Sequence, residues 1–312
     1  MNSLPPSGFG WIPDVPDVRD YTFDHPDVRR MLAPLESRRV GRLPPRYAWR
    51  ETSAEPRESE DDYEYWGLWP AVQSQAGLRT SSVHSVLALV QYMQRRAMLP
   101  MRPPSRMFVY NAVRQALGFV SDSGAPIRDV LKAVIRFGTP PEHHWPYDAH
   151  HLDAAPPPEL YSYEETCSAA VYVRLDAGVV AGADLLTAVK HAVVAGFPCV
   201  FGFPAYSSIA QGPAIPLPGA WDTLLGGQSA VVVGYSDDRR SSCGTTGQLV
   251  IRSSWGTEWG LAGYGHLPYE YVLRGWARDF WTLCSPEWLS RNGFGHPVPD
   301  GGASHPGRPT AL

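Results

Sequence analysis

Residues 226–235 read GGQSAVVVGY. Two glycines and a glutamine lead into an apolar, valine-rich run that ends at Tyr235, the pattern of a buried strand entered through a turn. Working outward, SAAVYVRL (168–175), FPCVFGF (197–203) and GQLVIRSSW (247–255) have the same texture. A short helical segment near 183–195 interrupts them. Upstream the period changes. Val83, Val86, Leu87, Val90, Met93 and Ala97 recur at helical spacing from Ser81 to about Met98, with Ser81 or Ser82 placed as N-cap. Residues 105–118 and 125–137 read as two further helices, the second stopping at Gly138. Helices first and strands after predict an α+β fold of two lobes with a cleft between them. The helical lobe covers about 70–150 and an antiparallel β lobe about 160–290, within a body of 43–290.

The rest of the 312 residues frames that body. Residues 1–42, rich in Pro, Asp and Arg, read as an extended arm, and 291–312 as a disordered tail. ETSAEPRESEDDYEYWG (51–67) reads as a solvated acidic loop. A hydrophobic share of 44% supports a large core and excludes a disordered chain. A net charge of −4 with no basic stripe argues against nucleic acid as a partner. No apolar run approaches the ~18 residues of a membrane span, and the N-terminus lacks the pattern of a secretory signal. The expected location is cytoplasmic. The basic set, almost all arginine, reads as a GC-rich bacterial genome. Cys167, Cys199, Cys243 and Cys284 lack paired spacing and read as reduced thiols, not a metal site. His143, His144, His150 and His151 crowd the Pro-rich connection 139–161, where no regular spacing aims them at a metal; they read as loop residues.

Five segments together resemble the papain-like cysteine peptidases, of bacterial and archaeal type. GGQSAVVVGY is similar to the strand that presents the catalytic histidine in GGHAVVVVGY. VIRSSWGTEWGLAGYGHLPYEYVL (250–273) is similar to the strand and loop NSWGxxWGxxGY, whose asparagine orients that histidine. LPPRYAWRE (43–51) resembles the mature N-terminus, SGAPIRDVLKAVIRFGTPPEHHWPY (123–147) a helix and loop, and GWIPDVPDVRDYTF (10–23) the arm. The likeness spans roughly residues 10–290, in order.

Carried over residue by residue, the resemblance puts Ser81 at the nucleophile, Gln228 at the general base and Ser253 at the orienting position. Only the oxyanion-hole residue, Gln75, is kept; Arg79-Thr80 replace a small pair before the nucleophile. A serine hydroxyl needs a positioned base, and a glutamine side chain accepts no proton near neutrality. Losing one triad member costs ~10⁴–10⁶ in kcat. The expectation is a proteolytically inactive relative, with no cofactor, whose cleft binds a peptide or protein segment. Alternatives are a repurposed catalyst of a biosynthetic pathway and a weak serine hydrolase through Ser81. His84, one turn after Ser81, reads as structural, as does Glu142. Ser123 and Gly124 match the pair that hydrogen-bonds a substrate backbone, while Trp255 and Trp259 match an aromatic wall of the cleft. The arm carries Trp11, Ile12, Tyr21 and Phe23, each worth ~1.5–3 kcal/mol if buried, so it docks on the body. It lies either across the cleft or on the back of the lobes as a brace, the brace being preferred.

Overall fold

The computed structural model describes residues 7–38, 43–48, 69–99, 102–163, 170–178, 182–209, 212–241 and 244–290. The acidic loop, the C-terminal tail, Cys167 and Cys243 lie outside them. Seven antiparallel strands form the sheet: β1 (Arg46–Ala48), β2 (Val171–Arg174), β3 (Cys199–Tyr206), β4 (Leu224–Arg240), β5 (Thr246–Arg252), β6 (Tyr264–Pro268) and β7 (Arg278–Cys284). Their order is β2-β7-β3-β4-β5-β6, with β1 also on β4. β4, the strand of the opening motif, is central.

Among the described residues seven α-helices accompany the sheet: α1 (Pro26–Leu32), α2 (Ser81–Arg96), α3 (Arg106–Leu117), α4 (Ile127–Phe137), α5 (Gly182–Val194), α6 (Glu270–Leu273) and α7 (Pro286–Leu289). Every residue of α2 from Ser81 to Met93 is buried. A helix buried on all faces belongs to the interior, and α2 is packed between α3 and α4 on one side and β3 and β4 on the other. Its N-cap is Thr80, not Ser81 or Ser82. The two serine hydroxyls have other partners: Ser82 Oγ donates to the Ala125 carbonyl (2.8 Å), and Ser81 Oγ faces the arm. Thr80 Oγ1 lies 2.6 Å from the Tyr147 hydroxyl and leaves the helix end without a side-chain cap.

The arm ties the lobes together. Arg128 of α4 pairs with Asp14 (3.0 Å) and Asp20 (2.8 Å). Arg174 of β2 pairs with Asp279 (2.7 Å) and Asp176 (3.0 Å), and its backbone N–H donates to the Tyr21 carbonyl (2.7 Å). Buried charges are tolerated when they are paired, and each arginine of this network has a carboxylate within 3.0 Å, across both lobes and the arm.

Candidate active-site groove

Ser81, from the first turn of α2, and Gln228, from β4, meet although 147 positions separate them in a 312-residue chain. The backbone N–H of Ser229 donates to Ser81 Oγ (3.3 Å). Gln228 Nε2 donates to Gln75 Oε1 (3.2 Å) and to Ser254 Oγ (3.2 Å), and Ser254 Oγ donates to Gln75 Oε1 (2.6 Å). Ser81, Gln228, Gln75 and Ser254 are all buried. Ser254 is thus the serine bonded to Gln228, while Ser253 Oγ has no hydrogen-bond partner among the described residues. The sequence motif aligned Ser253 with the lost asparagine. Its neighbour Ser254, two residues past the end of β5, reaches Gln228.

The groove over Ser81 is filled by the arm. The backbone N–H of Gly10 donates to Ser81 Oγ (3.2 Å), and Gln75 Nε2 donates to the carbonyl of Gly8. Arm and body also pair main chain to main chain. The Ala125 N–H donates to the Gly10 carbonyl (2.9 Å), Ile12 N–H to the Ala125 carbonyl (3.4 Å) and Trp11 N–H to the Gly227 carbonyl (2.8 Å). The segment at 8–12 therefore lies across the groove, while residues 14–38 brace the lobes. Both courses, over Ser81 and along the lobes, occur along one arm. On the helical lobe Ala125 makes the main-chain pairing, and Gly124 lies so close to the arm that a Cβ there would overlap the Gly10 carbonyl. The Gly124 N–H is already given to the Tyr110 hydroxyl (2.9 Å), and Ser123 Oγ donates to the Gly124 carbonyl.

Close approach explains the small residues. Gly10 lies against the Arg79 backbone so tightly that a Cβ there would overlap the Arg79 carbonyl. Trp11 is buried over Gly202, where a Cβ would enter the indole ring. Its Nε1 donates to Asp279 Oδ2 (3.0 Å), which also accepts the Asp14 N–H (2.9 Å). Phe9 sits edge-on to Trp255 at 6.3 Å, and Trp255 to Trp259 at 4.7 Å, so the aromatic wall contacts the arm. Asp279 escaped sequence reading because β7 itself did; nothing local marks an aspartate in RDFWTLC as a clasp for a distant indole.

Among the described residues the hydrogen-bond partners of Ser81 Oγ include no base; its contacts are the N–H groups of Gly10 and Ser229. Its two donors, Gly10 and Ser229, occupy the oxygen's lone pairs, the electrons a nucleophile would use. His84 turns away: Nδ1 donates to the Thr80 carbonyl (3.0 Å) and Nε2 faces Arg106 Nη1 (3.5 Å). Burial, followed by the Arg106 charge, pushes its pKa down to about 3 from 6.5. The imidazole is neutral in the folded chain and charges on unfolding. Its contribution to stability is complete above pH 6.5 and is lost as pH falls toward 3. The expected loss is about 1.4 kcal/mol per pH unit in that window. Denaturant melts of His84→Asn against the native protein measure it: the variant's stability falls less steeply between those limits. A parallel slope in both proteins would contradict a neutral buried His84.

Glu142 serves structure, accepting from Arg106 Nη2 (2.7 Å) and the Tyr147 N–H (2.9 Å). Cys199 and Cys284 are free and buried, and burial pushes both thiols up, away from nucleophilic use. In the histidine loop, His143 stacks with His144 and His151 with Trp145. Among the described residues no group of three or more His, Cys, Asp or Glu is placed to hold a metal ion, and no helix is long and apolar enough to cross a membrane.

A helical lobe and an antiparallel β lobe, meeting at the head of a buried helix, define the papain-like fold. Xylellain, a cysteine protease from Xylella fastidiosa, matches with a TM-score of 0.61 at 28% identity, over 91% of this chain and 98% of that one. A digestive procathepsin L2 proteinase from Tenebrio molitor larval midgut matches with a TM-score of 0.60 at 18% identity, over 89% and 78%. Among curated proteins, an uncharacterised peptidase C1-like protein of Acanthamoeba polyphaga mimivirus is 31% identical over 188 residues, 58% of each chain. The match thus spans less than two thirds of that relative. No family model matches. These similarities show the papain-like fold that this chain shares with those cysteine proteases.

Proposed function

We propose that this chain is a pseudopeptidase: a papain-like scaffold without peptide-bond chemistry, whose groove recognises an extended peptide segment and holds its own arm there. The observation that carries the reading is at Ser81 Oγ. The family's nucleophile position holds a hydroxyl that accepts two backbone N–H groups, and the base position holds a glutamine committed to Gln75 and Ser254. Main-chain pairing on both walls, at Ala125 and Gly227, suits recognition of an extended peptide, a mode that needs no nucleophile. The free thiols Cys199 and Cys284 fit a reducing compartment, and we place the protein in the cytoplasm.

A competition experiment tests the recognition. A synthetic peptide copying residues 7–20 is titrated against the native protein and against full-length Gly10→Val, in which the tethered arm no longer fits. Saturable binding to the variant and none to the native protein is expected. Equal behaviour of the two would remove the groove from the account.

A further inference from the structure

Behind the groove, where β5 passes α2, a recess of about 20 Å³ is lined by His84, Gln91, Arg106, Arg252, Ser253 and Ser254, among others. It is separate from the arm's path. Arg252 is 5% exposed and Ser253 6%. Arg252 Nη2 donates to the carbonyls of Pro70 (2.9 Å) and Ala71 (3.0 Å), whereas Nη1 has no partner, and neither has Ser253 Oγ nor Arg106 Nε. The faces of Trp69 and Tyr264 lie 5.7 and 5.8 Å from the Arg252 guanidinium. Among the described residues no carboxylate pairs with Arg252. Glu142 is engaged with Arg106, and the other cation felt by Arg252 is Arg95. The remaining titratable neighbour, His84, is neutral.

A buried guanidinium with one unpaired edge and no counter-charge is a costly arrangement. Water would satisfy the unpaired hydrogens and leave the charge uncompensated. From Arg252 Nη1, Ser253 Oγ and the size of the recess, we infer a binding site for a small monovalent anion of chloride's class. The volume admits about one water-sized occupant, for which roughly 10–15 Å³ is needed, which favours a monatomic anion over phosphate or sulfate. Arg252 Nη1 and Ser253 Oγ–H donate to the ion, and the two aromatic rings screen the other faces of the guanidinium. The ion fixes the turn 252–254, and with it the Ser254 hydroxyl that bonds Gln75 and Gln228.

The test is thermal melting of the full-length protein in sodium chloride against sodium gluconate at equal ionic strength, gluconate being too large for the recess. Chloride is expected to raise Tm saturably, by about 5 °C at a hundredfold excess over its Kd. Arg252→Met should abolish the difference between the salts. Should that variant fail to fold, Ser253→Ala keeps the charge and is expected to shift the chloride midpoint about tenfold, the scale of one lost hydrogen bond to a charged group. Bromide-soaked crystals of the native protein should show an anomalous peak between Arg252 and Ser253. Equal melting in the two salts, or a water in place of bromide, would overturn the site.

Discussion

Gly10→Val is expected to lower the melting temperature by about 10 °C, a large effect for one residue of an arm. The reason is geometric. A Cβ at position 10 would overlap the Arg79 carbonyl, which is backbone at the head of α2 and cannot turn aside. The segment must lift, and five contacts go with it: Gly10 to Ser81, Gly8 to Gln75, Trp11 to Gly227, and Gly10 and Ile12 to Ala125. Trp11 then leaves its seat over Gly202 and its bond to Asp279, and exposing a buried tryptophan costs roughly 3–5 kcal/mol. Calorimetry reads the stability loss, and a red-shifted tryptophan emission reads the exposure. Limited proteolysis should cut the variant within 7–13 and spare the native chain. A melting temperature within a degree of the native value would mean that the arm contributes nothing where it lies.

The second large effect concerns chemistry. Ser81→Cys, Gln228→His and Ser253→Asn, combined with Gly10→Val, are expected to raise amide hydrolysis at least ~10⁴-fold over the native protein, the scale set by triad deletions. Position 228 precedes Ser229, whose N–H already reaches Ser81 Oγ at 3.3 Å, so an imidazole there is within range of a thiol at 81. The helix N-terminus favours the thiolate at that position. Ser81→Cys alone supplies a sulfur without a base and should stay at background. So should the three-residue reversion with Gly10 kept, since the arm still covers residue 81. kcat/KM on a fluorogenic peptide amide separates these cases. Equal activity with and without Gly10→Val would show that the arm does not close the groove.

How much of this was legible from sequence divides along physical lines. α2 through α5 and the cores of β2 to β5 follow from strong periodicity within single segments. β7 was missed: RDFWTLC mixes charge with apolar residues, and its strand character comes from β2 and β3 on either side. Ser81, Gln228 and Gln75 could be placed because their motifs fix position to one residue. That Ser254 bonds Gln228 and that Ala125 pairs with the arm turn on which neighbouring groups are already spent. Neighbour-level competition of that kind has no trace in a single chain of letters. The arm's course was half legible. Its apolar residues require burial, but its seat in the groove depends on Gly10 clearing Arg79 and on Asp279 receiving Trp11, contacts made across the whole chain.

Whether the groove holds a peptide without cutting it is read from a single assay. The native protein and Ser81→Ala are incubated with a diverse library of fluorogenic peptide amides, under reducing conditions, at enzyme-like concentrations. Both proteins are expected to be indistinguishable from buffer across the library. Turnover by the native protein that Ser81→Ala abolishes would contradict it, and would make Ser81 the nucleophile of a working hydrolase.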